Sequence, residues 1–78
     1  MTERKKNPIH VHIGQRILLA RAREGMSEEE LAKAVGVPLS KLQGFEAGKQ
    51  IGVSGLFAIA AVLSQPIGFF YEKLLGPK

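Results

Sequence analysis

The sequence predicts an all-α protein, a compact five-helix bundle. Three observations support this prediction: apolar residues recur at helical spacing, glycines and prolines separate the periodic segments, and no segment has a persuasive strand pattern. With 78 residues, the chain forms one small domain. A folded chain of this size buries only about 60% of the surface that it exposes when unfolded. Its core must therefore be economical, or a second copy must add to it.

The first twelve residues are predicted to be a flexible basic arm, and residues 13–75 the folded domain. Three basic side chains at positions 4–6 stand against one acidic side chain, so half of the net charge of +4 belongs to the arm. Such an arm is either a solvated terminus or a group of charges that touches phosphate or the minor groove of DNA.

The first helix is predicted over residues 15–24. Before it, apolar residues alternate with histidines over residues 9–13, which favours an extended start. Good helix formers then follow, with Ile13 and Ile17 four residues apart, and Gly25 ends the segment.

The second helix has strong signals at both ends. Ser27 is an N-cap residue, and Glu30, three residues later, completes a capping box. The acidic first turn also suits the helix dipole. Gly36 ends the helix, whose predicted inner face consists of Leu31, Ala32 and Val35.

Three further helices follow. The third restarts at Pro38, which suits a first helical turn, and Gly48 stops it. The fourth begins near Ser54 and ends before Pro66, and the last spans about residues 68–75. The predicted core residues are Leu42 and Phe45 in the third helix, and Leu56, Phe57, Ile59, Ala60 and Leu63 in the fourth.

The second and third helices together form a helix-turn-helix pattern. Two short helices are joined at Gly36, where a small residue allows a left-handed turn, and Ala32 allows the helices to approach closely. Leu42 and Phe45 can hold the third helix on the core, so that its other face is presented rigidly to a major groove.

Several motifs carry a family resemblance over about residues 7–75. They are Ile13-Gly14-Gln15-Arg16-Ile17, Gly25-Met26-Ser27, Leu31 to Val37, Phe45-Glu46-Ala47-Gly48 and Leu56 to Leu63, with an Asn-Pro-x-x-Val-His-x-Gly start over residues 7–14 and an aromatic Phe69-Phe70 pair. In these motifs the chain resembles the phage-repressor and Cro type of helix-turn-helix protein, also called the Xre family. The resemblance implies a lambda-repressor-like fold and a DNA-binding transcriptional regulator.

The resemblance also implies a DNA-binding surface at the starts of the second and third helices and in the loop after the third. Ser40 and Gln43 can hydrogen-bond base edges there, and Leu39 can pack on a thymine methyl group. Lys41 and Lys49 can neutralise phosphates. The residues implied in DNA binding are Ser27, Glu28, Pro38, Leu39, Ser40, Lys41, Gln43, Gly44, Lys49 and Gln50.

Some positions depart from the family pattern. Glu28 stands where Gln is common, Gly44 where a long polar side chain is usual, and Leu18 and Ala20 where the most similar regulators tend to carry Arg. The loop before Leu56 is one residue short and lacks an Arg. Each lost phosphate contact lowers the salt dependence of binding by about one unit of slope. Weak DNA binding, binding to unusual DNA and binding to a protein are therefore all open alternatives.

Two further residue groups have implied structural roles. The resemblance implies that Arg21 and Glu46 form an internal salt bridge between the first and third helices, rather than two functional charges. The last helix carries more apolar side chains than a small bundle buries from one short helix, which indicates either core closure or a two-fold interface. The implied interface residues are Phe69, Phe70, Tyr71 and Leu74.

The remaining patterns argue against catalysis, metals and membranes. The chain has no cysteine, all seven acidic residues are glutamates, and no Cys or Asp accompanies His10 and His12. The serines lack a His and acid partnership, and no phosphate-cradling loop is present. The mainly apolar residues 51–63 are too short to span a bilayer. No enzyme activity, metal or cofactor is expected, and without a targeting pattern the expected location is the cytoplasm.

The sequence therefore predicts a homodimeric transcriptional regulator that inserts its third helix into the major groove of double-stranded DNA. The alternative is a degenerate helix-turn-helix that binds another regulatory protein, as an antiactivator or corepressor. An apolar surface built from Leu18, Leu39 and Gly44 would favour that alternative.

Overall fold

The computed structural model describes residues 8–72, and every regular element in this range is helical. This confirms the all-α class. The five-helix count is met only in part, because the last element is a short 3-10 helix rather than an α-helix. The elements are α1 (Pro8–Glu24), α2 (Glu28–Val35), α3 (Leu39–Glu46), α4 (Val53–Val62) and the 3-10 helix (Ile67–Tyr71).

The start of α1 differs from the prediction. The helix begins at Pro8, so the extended start over residues 9–13 is wrong, and residues 8–12 of the predicted arm are helical. Proline suits a first helical turn because its missing N–H has no partner there in any helix. The remainder of the predicted arm, with its basic residues at positions 4–6, lies outside the described residues.

One contiguous apolar core joins all five elements. It takes one face of each helix, and Ile51 in the loop before α4 adds to it. Residues with almost no exposure include Ile17, Leu31, Leu42, Ile59, Leu63 and Phe70. This core confirms the predicted inner faces of α2 and α3, although Val35 is only partly buried against it.

Gly14 allows α1 to lie unusually close to α3. A Cβ atom at this position would lie 2.9 Å from the carbonyl oxygen of Glu46 and closer still to that of Phe45. Both contacts are with backbone, which cannot rotate away as a side chain can. The absence of a side chain at Gly14 therefore sets the distance between the two helices.

Phe57 was predicted in the core, and this is wrong. Its side chain is 55% exposed, and Val53, one turn earlier on α4, is 69% exposed. Nearly all residues of α4 are apolar, so their spacing does not distinguish an inner face from an outer one. Leu56, Ile59 and Ala60 form the buried face.

The aromatic pair after α4 closes the core. Phe69 and Phe70 are buried and meet edge to face, with ring centroids 5.1 Å apart. Arg16 of α1 stacks over the Phe69 ring at 4.0 Å, and its Nε donates a hydrogen bond to the Phe69 carbonyl oxygen at 3.0 Å. These contacts attach the 3-10 helix to α1.

Candidate nucleic-acid interface

The start of α2 is organised by a reciprocal cap. The backbone N–H of Glu30 donates to Ser27 Oγ at 3.0 Å, and the backbone N–H of Ser27 donates to Glu30 Oε1 at 2.8 Å. This is the predicted capping box, which satisfies donors that otherwise have no partner in the first turn. Ser27 is exposed at the surface, but its hydroxyl group has a structural role because it caps the start of α2.

The turn between α2 and α3 is built on Gly36. Its φ of 86° lies in the left-handed region, and its N–H donates to the carbonyl oxygen of Ala32 at 2.8 Å. Pro38 was predicted in the first turn of the third helix, but it occupies the N-cap position, with ψ of 150°, and α3 begins at Leu39. An N-cap residue is extended while its carbonyl oxygen already accepts the first helical hydrogen bond, here from the backbone N–H of Leu42 at 3.2 Å.

Helix α3 has one buried face and one polar face. Leu42 and Phe45 are buried and fix the helix on the core. Ser40, Lys41 and Gln43 are exposed, so their polar groups are available on the other side. Leu39 and Gly44 are half-buried, and Leu39 packs against the core.

The loop after α3 places the cationic side chain of Lys49 against that helix. The backbone N–H of Lys49 donates to the Gly44 carbonyl oxygen at 2.9 Å. A Cβ atom on Gly44 would lie 3.0 Å from Lys49 Cδ, so the aliphatic part of the lysine crosses the space that a side chain would occupy. Lys49 is exposed, as is its neighbour Gln50. Gly44 therefore positions Lys49 beside α3.

Arg21 of α1 holds α3 in place through the ion pair that the resemblance implies. Its Nε and Nη2 donate to the two carboxylate oxygens of Glu46 at 2.8 and 3.2 Å. Its Nη1 donates to the Met26 carbonyl oxygen at 3.0 Å, which ties the same guanidinium to the loop before α2. The hydrogen bond from Arg21 to Glu46 raises the pKa of Arg21 above its ordinary value, despite an opposing effect of burial.

Glu28, the first residue of α2, contacts the middle of α3 and a side chain of α1. Gln43 Nε2 donates to Glu28 Oε1 at 3.2 Å, and Arg21 Nη2 lies 3.9 Å from Glu28 Oε2. Sequence reasoning placed both residues at the DNA surface but did not predict their contact. No local sequence signal reveals it, because the two residues are on different helices.

The structure bears on two of the four residues predicted for the two-fold interface. Phe69 and Phe70 are buried in the core of a single copy, so almost none of their surface is exposed for contact with a second copy. Tyr71 is exposed, and Leu74 lies outside the described residues. Among residues 8–72, the large apolar side chains with the greatest exposed fraction are Val53 and Phe57, one turn apart on α4. Their four-residue spacing in a helix without charges is the signal that could have identified them.

The histidines lie in α1 rather than in a strand. His12 Nε2 hydrogen-bonds the Glu72 carbonyl oxygen at 2.6 Å, and Arg16 forms an ion pair of 2.9 Å with the Glu72 carboxylate. Between residues 8 and 72, no three His or Glu side chains are grouped so that they could hold a metal ion. Within the same range, none of the helices has the length and apolar character needed to cross a membrane.

The comparisons with known proteins agree with this geometry. The model of the helix-turn-helix family matches residues 17–70. The chain is 39% identical over 75 residues to an uncharacterized HTH-type transcriptional regulator of Sinorhizobium medicae, and the match covers 95% of this chain and 54% of that protein. The chain thus spans about half the length of this relative.

Two solved structures are also similar. The restriction-modification controller protein C.AhdI from Aeromonas hydrophila has a TM-score of 0.74 and 27% identity, covering 78% of this chain and 94% of that one. The biofilm master regulator SinR, solved in complex with DNA, has a TM-score of 0.72 and 32% identity, covering 77% of this chain and 98% of that one.

Proposed function

Because the chain belongs to the helix-turn-helix family, we propose that it is a DNA-binding transcriptional regulator that places α3 in the major groove. One observation carries this proposal: Leu42 and Phe45 anchor α3 on the core while its polar face remains exposed at the surface. The likeness to SinR, whose structure was solved with DNA, supports it. The proposal requires neither catalysis nor a cofactor. Action on a chromosome would place the protein in the cytoplasm of a bacterial cell.

The roles of the polar residues follow from their chemistry. Ser40 and Gln43 present hydrogen-bonding groups that suit base edges. Lys41 and Lys49 are exposed cations on α3 and beside it, and these suit phosphates. Ser27, Pro38 and Gln50 flank them as exposed residues that are proposed to lie near the DNA backbone.

Binding to a protein through an apolar α3 face has less support. An apolar surface built from Leu18, Leu39 and Gly44, without positive potential, would favour that alternative. Leu18 is exposed, but Leu39 packs against the core and the Lys49 side chain crosses Gly44. The face that results is polar and carries cations, which favours DNA.

Fluorescence anisotropy on operator-sized DNA fragments tests the proposal. Lys41→Gln and Lys49→Gln are each expected to lower the slope of log affinity against log salt by about one unit. Lys33→Gln removes an equal charge from an exposed position of α2 that is not among the residues proposed to contact DNA, so it is the matched control and should leave the slope nearly unchanged. A wild-type affinity that does not depend on DNA sequence or salt would refute the proposal.

We further propose that two copies associate through the exposed face of α4. In a two-fold interface the same patch meets itself, so a patch with charges of one sign would repel its copy. Val53 and Phe57 are apolar, and α4 carries no charged residue. A second copy would bury these side chains, and the binding of both copies to one DNA site requires two α3 helices about one DNA turn apart, roughly 34 Å.

Analytical ultracentrifugation at several protein concentrations tests this association. Phe57→Glu is expected to convert a dimer to a monomer, because it places two carboxylates at the centre of the contact. Leu18→Glu makes the same change at a half-exposed apolar residue of α1 and should leave the dimer intact. Dimers that persist in Phe57→Glu would show that another surface is used.

A further inference from the structure

The contact between Glu28 and Gln43 bears on how α3 reads DNA. Gln43 is exposed on α3, and its Nε2 donates to the Glu28 carboxylate at 3.2 Å. The carboxylate is half-buried at the first residue of α2, with the Arg21 guanidinium 3.9 Å away on its other oxygen. A cation on one side and an amide on the other thus hold the Glu28 side chain between α1 and α3.

A carboxylate can fix the orientation of an amide because ionised Glu only accepts hydrogen bonds. The Gln43 amide must therefore turn its NH₂ group toward Glu28, since a flipped amide would place oxygen against oxygen. The NH₂ group has two hydrogens, and donation of the one anti to Oε1 leaves the other on the same edge as Oε1. The free edge of Gln43 therefore presents one acceptor and one donor in a fixed order.

That order matches one purine and not the other. Adenine offers the N6 amino group as a donor and N7 as an acceptor in the major groove, whereas guanine offers two acceptors, O6 and N7. The Gln43 oxygen would accept from adenine N6 but would face guanine O6 without a proton between them. We propose that Glu28 is a positioning residue that makes Gln43 select adenine over guanine. This inference rests on the proposed function, because it requires α3 to lie in the major groove.

A glutamine at position 28 would not fix the orientation of the Gln43 amide. A glutamine side chain can donate or accept, so it tolerates both orientations of the Gln43 amide. Glu28→Gln should therefore relax the choice between adenine and guanine at one base pair without abolishing binding. The Ser27–Glu30 capping box does not involve Glu28, so α2 should remain folded.

The experiment first selects preferred sites for the wild-type protein from random-sequence DNA. Affinities are then measured with each adenine replaced by guanine. Wild type is expected to discriminate by roughly 5- to 150-fold at one position, and Gln43→Ala identifies that position by losing the discrimination there. Glu28→Gln should reduce the ratio at the same position toward one. Glu29→Gln removes an equal charge from the same helical turn and should retain the ratio, which separates positioning from simple charge.

A second measurement needs no DNA. The side-chain amide signals of Gln43 in a nitrogen-15 NMR spectrum should shift in Glu28→Gln and stay in place in Glu29→Gln. If the wild-type protein selects a DNA sequence but the adenine-to-guanine affinity ratio is unchanged in Glu28→Gln, the proposed role of Glu28 alone is overturned. Wild type that selects no sequence overturns the proposed function and this inference together.

Discussion

Removing Arg21 is the most informative test of how α3 is held. The Glu46 side chain is only 4% exposed and that of Arg21 is 16% exposed, and two hydrogen bonds join them. Arg21→Met leaves the Glu46 carboxylate buried without its cation, and breaking a buried pair in this way costs about 3–5 kcal/mol. Glu46→Gln should cost less, about 1–2 kcal/mol. The amide can still accept from Arg21, which also keeps its bond to Met26.

The assay is urea unfolding followed by circular dichroism, with thermal melting as a second readout. For a chain of this size, each kcal/mol shifts Tm by roughly 4–8 °C, so Arg21→Met should melt at least about 12 °C below wild type. Arg23→Met is the matched control on the same helix. Arg23 is exposed, with its guanidinium 5.7 Å from the Phe69 ring centroid, and its loss should cost no more than about 1 kcal/mol.

The double variant Arg21→Met with Glu46→Leu distinguishes the interaction between the two side chains from the cost of losing each one separately. It removes both charges, so it should be more stable than Arg21→Met alone, by about 1 kcal/mol or more. The raised pKa of Arg21 means that its contribution is fully present below the ordinary pKa of arginine and is lost only as pH rises through the raised value. This reasoning would be refuted if the free energy of unfolding of Arg21→Met lay within about 1 kcal/mol of the wild-type value. It would also be refuted if the double variant showed no coupling energy between the two positions.

Three further substitutions test the local structure by the same unfolding assay. Gly14→Ala should destabilise the protein by about 1–3 kcal/mol or more, because the new Cβ meets the backbone oxygen of Glu46 at 2.9 Å. Gly44→Ala should instead stabilise it by about 0.5–1 kcal/mol, since the nearest atom belongs to the flexible side chain of Lys49; equal effects at the two glycines would contradict this difference. Ser27→Ala should cost about 1 kcal/mol through loss of the N-cap, and an unchanged melting temperature would show that the capping box is dispensable.

Elements with a local physical cause were predictable from the sequence. The capping box at Ser27 depends on a residue three positions later, and the left-handed turn at Gly36 depends on one residue type. The buried positions Leu42 and Phe45 follow from helical spacing on a helix with both polar and apolar residues. In each case the cause lies within one turn of helix.

Features that depend on tertiary packing were not predictable in the same way. Alternation over residues 9–13 is too short to distinguish a strand from a helix, and packing of Ile13 and Ile17 on the core decided for the helix. Phe57 was misplaced because almost every position in α4 is apolar. Phe70 was assigned to an interface because a small core was expected to be full, yet the 3-10 helix turns it inward.

Two departures from the family pattern gain a different meaning from their contacts. Glu28 and Gly44 suggest lost DNA contacts when each is considered by itself. In the structure, Glu28 accepts from Gln43, and Gly44 provides the space that Lys49 crosses. The first pair is separated by 15 residues, and its contact depends on the angle between α2 and α3, which spacing along one helix does not give. Restoring the usual residue at either position would therefore also affect its partner, Gln43 in the first case and Lys49 in the second.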